Sequence, residues 1–114
     1  MNGGYTMIDR ELIEKAESGS VDAIISLGFA YYDREAGEEN RGKAFELYTK
    51  ALELDPNNAR AINNLGNCYN NGVGVEENTD KAMELYRKAA ELGYSNAQYN
   101  LADSLKKKER SRMP

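Results

Sequence analysis

The strongest constraint on the fold is that the sequence repeats itself. Three stretches, AIISLGFAYY from Ala23, AINNLGNCYN from Ala61 and AQYNLADSLK from Ala97, start 38 and 36 residues apart. A second motif follows the first two stretches, as KAFELYTKALELDPNN from Lys43 and KAMELYRKAAELGYSN from Lys81, again 38 residues apart. A period of this length is typical of solenoids in which each repeat contributes a pair of helices. The chain is therefore predicted to be a stack of helix pairs.

Both motifs have the spacing of amphipathic helices. In the second repeat Ile62, Leu65 and Tyr69 recur at steps of three and four residues, and no strand-like alternation is present. Residues that break helices lie between the motifs, because Pro56 cannot continue a helix and Gly93 can adopt a left-handed C-terminal conformation. These signals predict helices at about residues 22–34, 41–54, 59–71, 80–92 and 96–108.

Several positions have local predictions of their own. Gly28 and Gly66 each follow a leucine in mid-helix, where glycine costs about 1 kcal/mol relative to alanine, so both are predicted to allow a close helix crossing. Cys68, the only cysteine, is expected to be a buried small hydrophobe, and Thr79 is expected to cap the following helix. Four tyrosines at equivalent repeat positions are predicted to pack between helices, namely Tyr31, Tyr48, Tyr69 and Tyr86.

The repeats resemble a known family. LELDPNNARAINNLGNCY, residues 52–69, is similar to a tetratricopeptide repeat, and GVGVEENTDKAMELYRKAAELGYSNAQYNLA, residues 72–102, is similar to its longer-looped relative, the Sel1-like repeat. The first repeat departs from that pattern, since its loop from Asp33 lacks Gly-x-Gly-Val, and the third has Ala102 where the others have glycine. Residues 8–19 resemble the second helix of a preceding repeat, so a further helix is expected at about residues 7–18, which makes six.

The resemblance implies an all-α fold, a right-handed α–α superhelix of about six helices arranged as antiparallel pairs. A single domain over residues 1–114 is expected. We expect it to divide into an N-terminal half-repeat helix, two repeats, a C-terminal capping helix and a tail, at residues 7–18, 21–58, 59–94, 95–108 and 109–114. The terminal helices are rich in charged residues, as the ends of solenoids require.

Composition argues against several functions. A net charge of −4 does not favour nucleic-acid binding. Neither an apolar run long enough to span a bilayer nor a secretory signal is recognisable, so we expect no membrane partner and a cytoplasmic location. Histidine is absent, which removes the commonest general base and transition-metal ligand. We therefore expect no enzyme, no catalytic residue, no cofactor and no metal.

Two loops could be interpreted as ligand-binding sites instead. Gly72-Val-Gly74 could be a phosphate-binding turn, but such turns follow a strand, whereas a helix precedes this one and Glu76 and Glu77 would repel phosphate. An inter-helix turn with Val75 tucked beneath it is favoured instead. The acidic loop from Asp33 does not have the glycine and glutamate spacing of a calcium hand, so we expect a solvated loop.

The resemblance also implies a binding surface. In this family the first helix of each pair lines a concave groove that commonly binds peptides or extended protein segments. Carried over position by position, the groove residues are Asp22, Ile25, Phe29, Tyr32, Arg60, Asn63, Asn64, Asn67, Asn70, Asn71, Asn96, Tyr99, Asn100 and Asp103. Asparagine amides both donate and accept hydrogen bonds, so they can pair with the backbone of an extended peptide. Alternatively, these asparagines are solvated surface and the tyrosines pack between neighbouring helices.

The partner is expected to be a protein or peptide that carries little charge. Some members of the family clamp the carboxylate of a chaperone tail with lysine, asparagine and arginine, but this chain has Ile25, Phe29, Asn96 and Asn100 at four of the clamp positions. A second hypothesis is a self-assembling structural module, with end-to-end stacking of repeats into a homo-oligomer. An engineered repeat protein without a native ligand is a further alternative.

Overall fold

The computed structural model describes residues 9–33 and 37–113. These residues form six α-helices and no strand, as the repeat pattern predicts. The helices are α1 Arg10–Glu17, α2 Val21–Tyr32, α3 Glu38–Leu54, α4 Ala59–Asn71, α5 Thr79–Glu91 and α6 Ser95–Arg112. Successive helices pack against each other, with α2 chiefly on α3 and α4 chiefly on α5, so the chain is a solenoid of helix pairs.

The second repeat shows how local sequence sets the helix ends. Asn58 precedes α4, and its side chain accepts a hydrogen bond from the backbone N–H of Ala61, which satisfies one of the free donors of the first turn. At the other end Gly72 adopts a left-handed conformation with φ of 65°, and its N–H donates to the carbonyl of Cys68. The segment of Asp55 and Pro56 separates α3 from α4, as predicted.

The core runs along the interfaces between the helices. One cluster of buried side chains joins α1, α2, α3 and α4, and a second joins α4, α5 and α6. Tyr48 and Tyr86, at equivalent positions of α3 and α5, are each 1% exposed, whereas Tyr31 and Tyr69 are half-buried. Because each helix pair contributes to a cluster with its neighbour, no pair buries its apolar face alone.

The two mid-helix glycines are packing glycines, as predicted. A Cβ atom at Gly28 would lie 2.7 Å from Cε1 of Tyr48, and one at Gly66 would lie 2.7 Å from Cε1 of Tyr86. Real Cβ atoms do not approach other atoms so closely, so the tyrosine of each second helix fills the space that a side chain on the first helix would need. This contact recurs in both complete repeats and fixes how closely the two helices of a pair approach.

Several predicted details need correction. Helix α6 continues to Arg112, so most of the expected tail at residues 109–114 is helical. Helix α3 begins three residues earlier than expected, whereas α1 begins at Arg10. The predicted first residues of α1, at positions 7 and 8, and the predicted last residue of α2, at position 34, lie outside the described residues.

The N-terminal cap of α5 also differs from its prediction. Asn78 rather than Thr79 is the capping residue, because the Asn78 side chain accepts a hydrogen bond from the N–H of Lys81 at 3.0 Å. Thr79 is the first helical residue. Both residues have side chains that can cap a helix, and their spacing to the apolar positions differs by only one residue, so sequence pattern alone could not separate them.

Candidate functional site

The predicted groove residues lie on the first helices α2, α4 and α6, and they differ widely in exposure. Six are exposed: Asp22, Phe29, Asn71, Asn96, Tyr99 and Asp103. Four are half-buried: Tyr32, Arg60, Asn67 and Asn100. Four are buried: Ile25, Asn63, Asn64 and Asn70. The two largest exposed side chains of the set are Phe29, 57% exposed, and Tyr99, 76% exposed.

The expectation for Ile25 needs correction. Its side chain is 0% exposed and belongs to the core cluster shared by α1, α2, α3 and α4. The resemblance assigned this position to the groove by its place in the repeat, where the second repeat has Asn63 and the third has Tyr99. An isoleucine at that position packs inward because burying its apolar surface is favourable.

The buried asparagine pair Asn63 and Asn64 joins α4 to α6. The amide of Asn100 on α6 donates a hydrogen bond to Oδ1 of Asn63 at 2.9 Å, and the amide of Asn63 donates to Oδ1 of Asn64 at 3.4 Å. These side chains therefore have partners within the chain. Buried polar groups need such partners, because leaving one unsatisfied costs about 1–3 kcal/mol.

Asn67 connects three helices. Its Oδ1 accepts a hydrogen bond from the hydroxyl of Tyr86 on α5 at 2.5 Å, and its backbone carbonyl accepts one from the hydroxyl of Tyr32 on α2 at 3.2 Å. The same Tyr32 hydroxyl accepts a hydrogen bond from the amide of Asn71 at 2.7 Å. The first helices α2 and α4 are thus held together by polar contacts. These contacts use side chains for which the sequence predicted a peptide-binding role.

Asn70 links α4 to α6, and through Lys107 this link continues to the loop before α5. Its Oδ1 accepts a hydrogen bond from Ser104 at 3.1 Å, and its backbone carbonyl accepts one from Nζ of Lys107 at 2.5 Å. The Lys107 ammonium also forms an ion pair with Glu77 at 2.6 Å. Sequence reasoning missed Ser104, Lys107 and Glu77. Position 104 gave a usable signal, because it holds a small polar residue where the equivalent positions of the other repeats hold apolar ones.

The asparagines of α4 therefore hold the solenoid together. Asn63, Asn67, Asn70 and Asn71 each contact another helix through the side chain, with partners on α2, α5 or α6. The predicted groove residues that remain exposed are two aromatic side chains and four polar ones. We name the exposed residues Asp22, Phe29, Asn71, Asn96, Tyr99 and Asp103 the first-helix face.

An open depression of about 540 Å³ adjoins this face between α2 and α4, lined by Tyr32, Asp33, Arg41 and Asn71. Nε of Arg41 donates to the carbonyl of Tyr32 at 3.1 Å, and its guanidinium lies 5.6 Å from the centroid of the Tyr32 ring. Arg41 was not among the predicted groove residues. A guanidinium that contacts an aromatic ring and a carbonyl is held in place and contributes a fixed positive charge to the depression.

The Gly-x-Gly loop is a joint between helices. Gly72 and Gly74 have φ of 65° and 75°, and a Cβ atom at Gly74 would lie 2.8 Å from the carbonyl oxygen of Gly42 in α3. Position 74 thus needs glycine both for its conformation and for the close approach to α3. Val73 is the buried residue of the loop, 3% exposed, whereas Val75, expected beneath the turn, is only half-buried.

Cys68 is fully buried, as predicted. Burial raises the pKa of its thiol from the ordinary value of 9.0 to about 12, with a smaller opposing effect of Arg41. The thiol therefore stays protonated at neutral pH and is a poor nucleophile. Among the described residues no group of three histidine, cysteine, aspartate or glutamate side chains is placed to hold a metal ion. None of the described helices is both long and apolar enough to cross a membrane.

Comparison with known proteins confirms the resemblance to the Sel1 repeat. The family model of the Sel1 repeat matches twice, at residues 21–56 and 59–94. A crystal structure of a Sel1 repeat protein from Oxalobacter formigenes is similar to this chain, with a TM-score of 0.62 and 31% sequence identity over 79% of this chain. The match covers 36% of the length of that protein. No curated protein sequence matches significantly.

Proposed function

Because the chain belongs to the Sel1 repeat family, we propose that it binds a protein or an extended peptide on its first-helix face, without catalysis. Sel1 repeat proteins are generally non-catalytic scaffolds that mediate protein–protein interactions. We assign the binding surface to the face formed by α2, α4 and α6 because of the residues that remain exposed there.

The exposure of Phe29 and Tyr99 carries the proposal. With 57% and 76% of their surface exposed, these two aromatic residues keep most of their apolar area in water. Aromatic side chains contribute large contact areas to interfaces at modest conformational entropy cost, and they are common among the residues that dominate binding energy. They lie on the first and last of the three first helices, so a ligand that contacts both must extend across α4.

The polar residues of the face define the kind of ligand. Asp22 and Asp103 contribute negative charge, and Asn71 and Asn96 are exposed polar residues whose amides donate to the hydroxyls of Tyr32 and Tyr94. Outside the named face, the half-buried Arg60 of α4 contributes positive charge. This mixed distribution does not favour a highly charged ligand of either sign. An extended segment with two apolar side chains, spaced to reach Phe29 and Tyr99, matches the face best.

The proposal is tested by selecting random peptides displayed on phage against the intact chain and measuring the affinity of a selected peptide by fluorescence anisotropy. Phe29→Ala and Tyr99→Ala should each weaken binding by about five- to a hundredfold, as expected for aromatic residues at the centre of an interface. Leu54→Ala is the matched control, because Leu54 is 52% exposed but lies at the end of α3.

Nuclear magnetic resonance should then locate the bound peptide. Backbone amide shifts should change on α2, α4 and α6 and remain small on α3. Selected peptides that bind both aromatic variants as tightly as the unmodified chain, or that shift α3 and α5 instead, would show that the first-helix face is not the binding surface. If the selection enriches no peptide, the proposal that this face binds an extended peptide is contradicted.

A further inference from the structure

Two asparagines of α4 use only part of their hydrogen-bonding capacity within the fold. Oδ1 of Asn64 accepts a hydrogen bond from the amide of Asn63 at 3.4 Å, and Oδ1 of Asn67 accepts one from the hydroxyl of Tyr86 at 2.5 Å. An asparagine amide nitrogen also carries two donors. Within the part of the chain that the structure describes, Nδ2 of neither asparagine donates a hydrogen bond. Each side chain therefore serves the fold as an acceptor and keeps its donors free.

The free donors of Asn64 and Asn67 open on the outer side of α4. Asn64 is only 7% exposed and Asn67 is half-buried. Among the described residues that are not exposed, every side-chain nitrogen or oxygen atom fully shielded from solvent has a hydrogen-bond partner. The two Nδ2 atoms are therefore accessible. Asn64 and Asn67 share one helix stripe with the exposed Asn71, at steps of three and four residues, so their amides lie on the same side of α4.

This stripe lies between the two exposed aromatic side chains of the first-helix face. Helix α4 contacts α2 on one side and α6 on the other. The repeat period aligns Phe29 of α2 with Asn67, and Tyr99 of α6 with Asn63. Equivalent positions of stacked repeats lie side by side. A ligand that contacts both Phe29 and Tyr99 thus crosses α4 between the level of Asn67 and the level of Asn63, and it passes over both free amides.

The two free amides have a spacing that suits the backbone of an extended peptide. Residues three apart on a helix, such as Asn64 and Asn67, have Cβ atoms about 5–6 Å apart. Carbonyl oxygens on one edge of an extended chain recur every second residue, at about 6.6–6.8 Å. The side chain of asparagine can take up the small difference. A helical ligand would offer few acceptors here, because its carbonyl oxygens are already paired within the helix.

Helix α6 places hydrogen-bond acceptors beside these donors. Asn100, which the repeat period aligns with Asn64, donates its amide to Asn63 at 2.9 Å and keeps Oδ1 for other partners. The exposed Asp103, aligned with Asn67, can only accept hydrogen bonds when ionised. Donors on α4 beside acceptors on α6 match a peptide backbone, in which each residue other than proline carries one donor and one acceptor. A ligand carboxylate would be repelled by Asp103, so the neutral backbone is the better match.

We propose that Asn64 and Asn67 donate hydrogen bonds from Nδ2 to backbone carbonyl oxygens of an extended ligand, while Phe29 and Tyr99 contact apolar side chains on either side. This inference rests on the proposed peptide binding and states what the centre of the face recognises. The ligand is bound there through its main chain, so its sequence between the two apolar residues is free to vary.

The arrangement also sets the spacing of those apolar residues. Packed helices lie about 8–10 Å apart, so α2 and α6 are roughly 16–20 Å apart on either side of α4. An extended chain covers that distance in roughly five or six residues. Peptides selected for binding should therefore share two apolar positions about five or six residues apart, with no preferred side chain between them.

Asn64→Asp and Asn67→Asp test the proposal, because each replaces Nδ2 with oxygen and keeps the Oδ1 acceptor that the fold uses. The probe is a peptide selected on phage against the intact chain, with its affinity measured by fluorescence anisotropy. Each variant should weaken binding by about ten- to a hundredfold, because a carboxylate oxygen would face a carbonyl oxygen. Asn70→Asp is the matched control. Asn70 is also 7% exposed and also accepts through Oδ1, from Ser104, but it lies outside the path between Phe29 and Tyr99, so this variant should bind like the unmodified chain.

Nuclear magnetic resonance of the unmodified chain provides a second measurement that does not depend on how the variants fold. The side-chain amide signals of Asn64 and Asn67 should shift when the selected peptide binds, and their hydrogens should exchange more slowly with solvent. The amide of Asn57, exposed in the loop before α4, should not change.

Changes in the peptide complete the test. Replacing single peptide bonds between its apolar residues with alkenes, which removes the carbonyl oxygens, should weaken binding at two positions, whereas alanine substitutions between the same residues should not. Unchanged Asn64 and Asn67 signals, or Asp variants that bind as tightly as the unmodified chain, would overturn this inference. Peptide binding by the face would still stand if Phe29→Ala and Tyr99→Ala weakened the affinity. A selection that enriches no peptide overturns both proposals.

Discussion

The ring of Tyr86 occupies the space that a side chain at Gly66 would need: an ideal Cβ atom on Gly66 would lie 2.7 Å from Cε1 of Tyr86. The ring is 1% exposed and is surrounded by the second core cluster, so it has little room to move. The same relationship holds between Gly28 and Tyr48 in the first repeat. The two contacts set the separation of the helices within each pair.

Substitution Gly66→Ala should therefore destabilise the chain even though alanine is the better helix former. Overpacking a core by one methyl group costs about 1–3 kcal/mol, and the higher helix propensity of alanine returns about 1 kcal/mol. We expect a net loss of up to about 2 kcal/mol in the free energy of unfolding, measured by urea denaturation.

Gly42→Ala is the matched control and should act in the opposite direction. Gly42 also lies inside a helix, but a Cβ atom there would approach no atom closer than the Cα of Gly74 at 3.9 Å. The substitution should raise the free energy of unfolding by about 0.5–1 kcal/mol through helix propensity. Equal effects of the two substitutions would show that the ring of Tyr86 does not restrict position 66.

The sequence pattern predicted the helices well because helix formation depends on residues close in the chain. The 38-residue period and the step of three and four residues identified α2 to α6, and the resemblance of residues 8–19 to the second helix of a repeat identified α1. Leu-Gly in mid-helix identified the packing glycines. Helix ends were less certain, since Asn78 and Thr79 are both suitable caps and only the hydrogen bond to Lys81 distinguishes them.

The roles of the asparagines could not be predicted in the same way. Asn67 finds its partner 19 residues away in the chain, and Asn63 and Asn70 find theirs 37 and 34 residues away. An asparagine that can pair with a peptide backbone can pair equally well with another side chain, so composition does not separate the two roles. Only the relative placement of α4, α5 and α6 shows which side chains already have partners.

Removing the side chain of Asn67 should destabilise the fold, because the buried hydroxyl of Tyr86 then loses its acceptor. We expect Asn67→Ala to lower the free energy of unfolding by about 1–3 kcal/mol. Tyr86→Phe removes the donor as well, so the double variant should lose less than the sum of the two single losses. A thermal or urea double-mutant cycle measures the coupling, and strict additivity would contradict the hydrogen bond.

Lys107 should anchor α6 more strongly than the neighbouring Lys106 does. Its Nζ lies 2.5 Å from the carbonyl oxygen of Asn70 and 2.6 Å from Oε2 of Glu77, and its side chain is only 29% exposed. Lys107→Met keeps the apolar stem and removes these contacts. Amide hydrogen exchange in α6 should accelerate by about two- to tenfold, the effect of losing roughly 0.5–1.5 kcal/mol. Lys106→Met, at an exposed position of the same helix, should leave exchange unchanged.

Alkaline pH should destabilise the chain through its buried weak acids. Burial raises the pKa of Cys68 to about 12, and it also raises the pKa of Tyr48 and Tyr86 above their ordinary value of 10.0. A raised pKa means that the folded state favours the protonated form. The stability from Cys68 is thus complete below its unfolded pKa of about 9 and is lost as pH rises from there toward 12. The urea midpoint should fall between about pH 8 and pH 10.5.

Replacing the thiol identifies its share of this pH dependence. Cys68→Ala removes one titrating group while both tyrosines remain, so the fall in the urea midpoint should become shallower without disappearing. The unmodified chain should also resist a thiol reagent at neutral pH and react only after urea unfolds it, because the Sγ atom is buried and protonated. Rapid modification of the folded chain, or a midpoint that rises with pH, would contradict the burial of Cys68 as the cause.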